Sequence, residues 1–193
     1  MGTSSVGTGT VYPRPKLWSV AELHRLIELD GLDSFRRLEL IEGVLYEKNR
    51  QSDAHVASLS WTQVALQAAF ATAGVVVGGS NLHLDEYSEP EPDVLVLRAR
   101  ALNVPTAAEV LLLVEVSDTS LAFDLGRKAA LYARHGIPEY WVADVTNRLL
   151  HLHRLPDIQS GTWQERLVLA HTLSVEVLPG QQLPIAELFP PLA

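Results

Sequence analysis

EPEPDVLVLRARALNVPTAAEVLLLVEVSDTSLAFDLGRKAALYARHGIPEYWVAD, residues 89–144, decides how the rest of the chain is read. Two runs within it, Asp93 to Arg98 and Val110 to Ser117, are rich in Val and Leu, and each predicts a buried strand. Ser120 to His135 has a helical pattern, stopped by Gly136 and Pro138. Glu139 to Ala143 predicts one more apolar strand. Strand, helix and strand in that order make a βαβ crossover, whose two strands run parallel and right-handed. Strand 93–98 reaches strand 110–117 through a short connection, and antiparallel pairing is the simplest arrangement. Such a pair sets the start of one strand beside the end of the next. Asp93 and Glu115 therefore fall at one end of the sheet. The helix leaves from that same end with Lys128 in its second turn, so all three side chains can converge.

Outward from this core, Ser19 to Glu22 matches a capping box before an amphipathic helix that Gly31 stops. Residues 37–48 alternate as one or two short strands with a turn near Gly43. Ser52 or Asp53 starts a long helix with Val56, Leu59, Leu66, Ala69, Phe70 and Ala73 on one face, ended by Gly74. Val75 to Val77 and Leu82 to Asp85 read as two short strands joined by Gly78 and Gly79. Arg148 to Leu155, Trp163 to Ala170 and Ser174 to Leu178 read as an antiparallel series, followed by a short helix near Ile185 to Leu188. The expectation is one α/β domain over residues 17–193, with a central mixed sheet flanked by helices. Residues 1–16 read as a disordered tail and not as a signal peptide, for they lack a basic start and an apolar core.

Composition narrows the classes. The chain has 193 residues, 47% of them hydrophobic, enough for a real core. No apolar run has the length to span a bilayer. There are no cysteines, which removes thiolate catalysis, disulfides and cysteine zinc sites together and fits a cytoplasmic protein. A formal charge of -8 argues against coating nucleic acid through a broad basic surface, though not against meeting it in one cleft.

A carboxylate beside an apolar strand is costly to desolvate without a cationic partner. Asp93 and Glu115, with the carbonyl of Val116, offer hard oxygen ligands to Mg²⁺ (or Mn²⁺) and leave room for water and a phosphate oxygen. Lys128 could orient that water or stabilise charge on the phosphate. Bland readings compete. Asp93 could cap a strand, and Glu115 could form a buried ion pair. Lys128 could pair with Asp124 on an exposed helix face, and Asp124 could simply favour the helix dipole. Tyr132, Tyr140 and Trp141 read as core or cleft wall. His151 and His153 share the more exposed face of a strand, but two histidines make a poor zinc site. His55 and His83 could border the cleft.

EPDVLVL (91–97), LLLVEVSDTS (111–120) and DLGRKAALYARHGIPEYWVAD (124–144) closely resemble the Uma-two family of restriction-endonuclease-like proteins, in the PD-(D/E)XK nuclease superfamily. LWSVAEL (17–23) and LELIEGVLYE (38–47) extend the likeness to nearly the whole chain. The resemblance implies a restriction-endonuclease-like core and Mg-dependent hydrolysis of phosphodiester bonds in nucleic acid, DNA first. It implies Asp93 and Glu115 as metal ligands and Glu39 as a supporting acid acting through water. The superfamily sets lysine two residues after the glutamate; here that residue is Ser117, and Lys128 takes the role from the adjacent helix. A homodimer is expected, because two strands need two sites. The alternative is a silent nuclease fold kept as a dimerising or nucleic-acid-binding module.

Overall fold

The computed structural model describes residues 14–30, 38–48 and 50–191; residues 1–13 of the expected 1–16 tail and the stop at Gly31 lie outside the described residues. Helix α1 (Val20–Asp30) opens with the expected capping box: Ser19 N donates to Glu22 Oε2 and Glu22 N to Ser19 Oγ. A hairpin follows, β1 (Leu38–Ile41) and β2 (Val44–Glu47), turning through Glu42 and Gly43, both at positive φ. That turn suits the right-handed twist of a hairpin. Gly43 is required twice over, because a Cβ there would also stand 2.6 Å from Leu17 Cβ.

Helix α2 (Asp53–Ala69) is capped by Ser52, whose hydroxyl accepts from His55 N. The main sheet then accumulates: β3 (Val75–Gly78), β4 (Val94–Leu97), β5 (Val110–Ser117), β6 (Glu139–Asp144), β7 (Leu149–Asp157) and β8 (Thr162–Ala170). Its order is β3-β4-β5-β6-β7-β8. Every pairing is antiparallel except β5 with β6, the pair bridged by the crossover helix. A second hairpin, β9 (Ser174–Leu178) and β10 (Gln181–Pro184), leads into a 3₁₀ turn at Ile185–Leu188. None of the described helices is long and apolar enough to cross a membrane.

Helix α3, residues 121–134, is not uniform. Its ends, Leu121–Phe123 and Ala129–Arg134, are α-helical and flank one π-helical turn, Asp124–Lys128. The wide turn keeps the Asp124 carbonyl available to a second donor, and the Tyr140 hydroxyl takes it at 3.0 Å.

Strand alternation sorts the core onto two faces. Val94, Val96, Leu112 and Val114 pack with α2 and the C-terminal segment. Leu95, Leu97 and Leu113 pack with Leu131 and Tyr132 of α3. By period two from Leu113, Glu115 and then Ser117 must face α3.

Three expectations fail in whole or in part. Leu82 to Asp85 forms no strand: His83 makes a lone bridge to Thr106, while Asp85 turns back on Ser88. The inner face of α2 holds only in part: Leu66, Ala69 and Phe70 are buried as expected and Leu59 packs against them, but Val56 and Ala73 are exposed while Ser58 and Thr62 are buried. Thr62 can go inside because its hydroxyl donates to the Leu188 carbonyl at 3.0 Å. His153 is buried rather than exposed, tilted against Tyr140 and edge-on to Trp163.

Candidate active site

Four segments meet at one end of the sheet. The turn before β4 brings Asp93, β5 brings Glu115, hairpin β1–β2 brings Glu39, and α3 brings Lys128. Lys128 Nζ lies 3.1 Å from Glu115 Oε1 and 3.1 Å from Glu39 Oε2. It donates a hydrogen bond to Glu115. Its approach to Glu39 lacks hydrogen-bond geometry, so Glu39 Oε2 is a buried oxygen with an ion-pair neighbour and no donor. The Tyr132 hydroxyl donates to the same Glu115 oxygen at 2.9 Å. Asp93 Oδ2 accepts from the backbone N–H of Val116 at 2.8 Å, which ties the start of β4 to the end of β5. His55, in the first turn of α2, sets Nε2 3.6 Å from Asp93 Oδ1, a charge contact longer than a hydrogen bond. Asp124 is buried behind Ser120, whose hydroxyl donates to it.

Glu39, His55, Asp93, Glu115, Asp124 and Lys128 floor a cavity of about 910 Å³ whose walls include Tyr46, Lys48, Arg50, Asp118 and Phe123. Its chemistry is a surplus of buried acid. Glu39, Glu115 and Asp124 are buried with a single buried ammonium, and Asp93 lies close by. Burial, above all, pushes the Glu115 carboxyl up. Lys128 pulls it down, while Asp93, Asp124 and Glu39 add repulsion. Burial likewise raises Asp124 against the pull of Lys128 and Ser120. For Lys128, burial disfavours the charge, but Glu115, Glu39 and Asp124 outweigh it and hold the ammonium charged. Burial also opposes a charged His55; Asp93, with Asp118 behind it, outweighs that and raises the imidazole pKa. Burial keeps the Tyr132 phenol protonated and therefore a donor.

Sequence-expected residues thus separate into two groups. Glu39, Glu115 and Lys128 are in direct contact. Asp93 approaches the cluster electrostatically, but its bond runs to the Val116 N–H, the neighbour whose carbonyl was expected to join it as a ligand. Lys128 and Asp124 are not the exposed surface pair that their spacing allows; both are buried. Ser117 also faces α3, its hydroxyl 3.3 Å from that of Ser120, and it helps to lower the Asp124 pKa. The sequence alone assigns Asp124 to the helix dipole and Tyr132 to core or cleft wall, and neither to the site. Their spacing was the available signal, since 124, 128 and 132 recur at i, i+4, i+8 along one helical face.

A divalent cation can be weighed against this donor set. Among the described residues, no three His, Asp or Glu side chains form a ready-made metal cluster. The oxygen chemistry nevertheless fits a hard cation: Asp93 and Glu115 both line the cavity. The local acid surplus is what such a cation would neutralise.

The profile of the Uma2 family, described as "Putative restriction endonuclease", matches residues 20–186. Among solved structures, the fold is similar to a protein from Anabaena variabilis titled a putative nuclease belonging to DUF820. The TM-score is 0.65 at 18% identity, covering 86% of this chain and 96% of that one. No curated protein matches the sequence. With most of its length under that profile, the chain belongs to the Uma2 family.

Proposed function

We propose that this Uma2-family chain is a Mg²⁺- or Mn²⁺-dependent endonuclease that hydrolyses phosphodiester bonds in nucleic acid, DNA in the first instance. The observation that carries the reading is the acid surplus around Lys128 at the floor of an open cleft. In this reading Asp93 and Glu115, with the Val116 carbonyl, hold the cation. When bound, the cation lowers the pKa of water and neutralises charge on phosphate.

The side chains divide the remaining work. Tyr132 and Lys128 both donate to Glu115 Oε1, which fixes the carboxylate and leaves its other oxygen free of these two donors. Glu39 also pairs with the Lys128 ammonium, whose charge would stabilise a phosphate bound in the cleft. His55 steadies the free oxygen of Asp93. Lys48, which is paired with Glu91, and Arg50 stand on the cleft wall, where a nucleic-acid backbone would pass in this reading. The absence of cysteine suits a cytoplasmic protein.

Plasmid nicking with Mg²⁺ or Mn²⁺ tests the proposal. Asp93→Ala and Glu115→Ala should each lose cleavage by at least about 100-fold; retention of parental cutting by both sinks the assignment. A second reading, a silent nuclease fold that binds nucleic acid, is favoured by one observation. Lys128 sits directly on Glu115, and Ser117 stands where the superfamily pattern has lysine. Calorimetry separates the two: heat of Mg²⁺ or Mn²⁺ binding that disappears in Asp93→Ala supports the enzyme, and no binding at millimolar ion supports the module.

A further inference from the structure

Beyond exposed Asp53 in its first turn, α2 carries no Asp, Glu, Lys or Arg. Between Ala54 and Leu84 the chain contains no Asp, Glu, Lys or Arg, in a protein of formal charge -8. A helix on a protein surface ordinarily turns charged residues to water. Here it turns out Val56, Trp61 and Val64, which are 50%, 44% and 65% exposed. Tryptophan and valine left open side by side on one helix mark a surface that something covers.

The spacing says what kind of partner fits. Ala57, Trp61, Val64 and Ala68 fall at i, i+4, i+7 and i+11, the seam of a helix that packs on another helix. The seam is also self-complementary. Paired antiparallel about a two-fold axis, Trp61 falls against Val64 of a second copy, and Ala57 against its Ala68. Large thus meets medium and small meets small, and the two alanines let the helices close. Charge points the same way. Two copies of an acidic protein repel each other over most approaches, whereas a neutral face meets its own copy without that cost.

We infer that the exposed face of α2 is the two-fold interface of a homodimer, packed helix to helix along Ala57, Trp61, Val64 and Ala68. The inference does not depend on the nuclease reading, and its failure would leave that reading standing. It adds a spatial consequence: α2 begins at the cleft, through Ser52 and His55. An antiparallel pair of α2 helices would therefore hold the two clefts apart by roughly the length of the helix.

Light scattering on the full chain, as it elutes from a sizing column, tests this. The parent protein should elute at two chain masses of 21.2 kDa. Val64→Glu and Trp61→Lys should each elute at one. Both positions are exposed, so circular dichroism should show unchanged folding. Mixing the two variants brings the introduced carboxylate opposite the introduced ammonium and should restore the dimer. Trp61→Ala, which adds no charge, should weaken association by roughly tenfold or more. A monomeric parent, a dimer that survives both charged variants, or a mixture that stays monomeric overturns the assignment.

Discussion

Lys128 and Arg127 are neighbours on α3, and each pairs with a glutamate of the β1–β2 hairpin, yet the two contacts differ in kind. Lys128 meets Glu39 and Glu115 with all three side chains at most 7% exposed. Arg127 meets Glu42 at 2.9 Å with both side chains about two-fifths exposed, and Arg134 reaches the same glutamate. One pairing is dry and the other wet. Water screens the outer set and replaces any contact that is lost. The inner set has no such substitute, so each group there depends on the others. The lesson is that the same helix and hairpin are latched outside by interchangeable charges and fastened inside by irreplaceable ones.

The sharpest way to break the contrast is Lys128→Ala, which strands Glu39 and Glu115 in a buried site. It should cost about 3–5 kcal/mol in urea unfolding and abolish cleavage. A loss below that of an outer arginine would refute the dry reading. Tyr132→Phe removes one donor from Glu115 and should cost about 1.5–3 kcal/mol, measured the same way; a loss under a few tenths would show that the carboxylate finds another donor. The next test concerns a polar group buried without a charge partner. Burial holds the His153 imidazole down at about 4, helped by Arg166 and His151, against an ordinary 6.5. As pH falls, the unfolded chain binds the proton first. The stability that His153 leaves intact above pH 6.5 is therefore lost between there and about 4. His153→Phe should remove that part of the acid slope in urea midpoints taken across the range; an unchanged slope refutes it. The smallest effect belongs to Glu42→Ala, roughly 0.5–1 kcal/mol, shrinking further in high salt. A salt-independent loss would mean the outer latch is drier than its exposure suggests.

Much of this was legible in the chain. The crossover and the β4–β5 pairing follow from apolar runs, a Gly and a Pro, because burial on both sheet faces imposes a local pattern. Asp93 and Glu115 could be placed at one sheet end by strand direction alone. What could not be read was which way a helix faces. Asp124, Lys128 and Tyr132 look like an exposed ion pair plus a core aromatic until β5 is set opposite them. The same blindness affected α2, where Thr62 is inside because a distant carbonyl, that of Leu188, receives it. Val56 is outside despite being apolar. His153 failed for a related reason: alternation identifies the face of a strand but not what covers it. The π turn had no sequence signature beyond a glycine within a helical run.

That π turn has a consequence for chain length. A π turn holds one residue more than an ordinary α-helix needs, and Gly126 lies within it where a Cβ would touch nothing within 4 Å. Deleting Gly126 should therefore let the segment close into a regular helix, with Leu121–Phe123 and Ala129–Arg134 still on their own faces. The shortened chain would keep its fold but bring Asp124 and Lys128 one position closer in sequence and draw the Asp124 carbonyl away from Tyr140. In length terms the π turn is a one-residue surplus, given over to the bond that the Tyr140 hydroxyl donates to the Asp124 carbonyl.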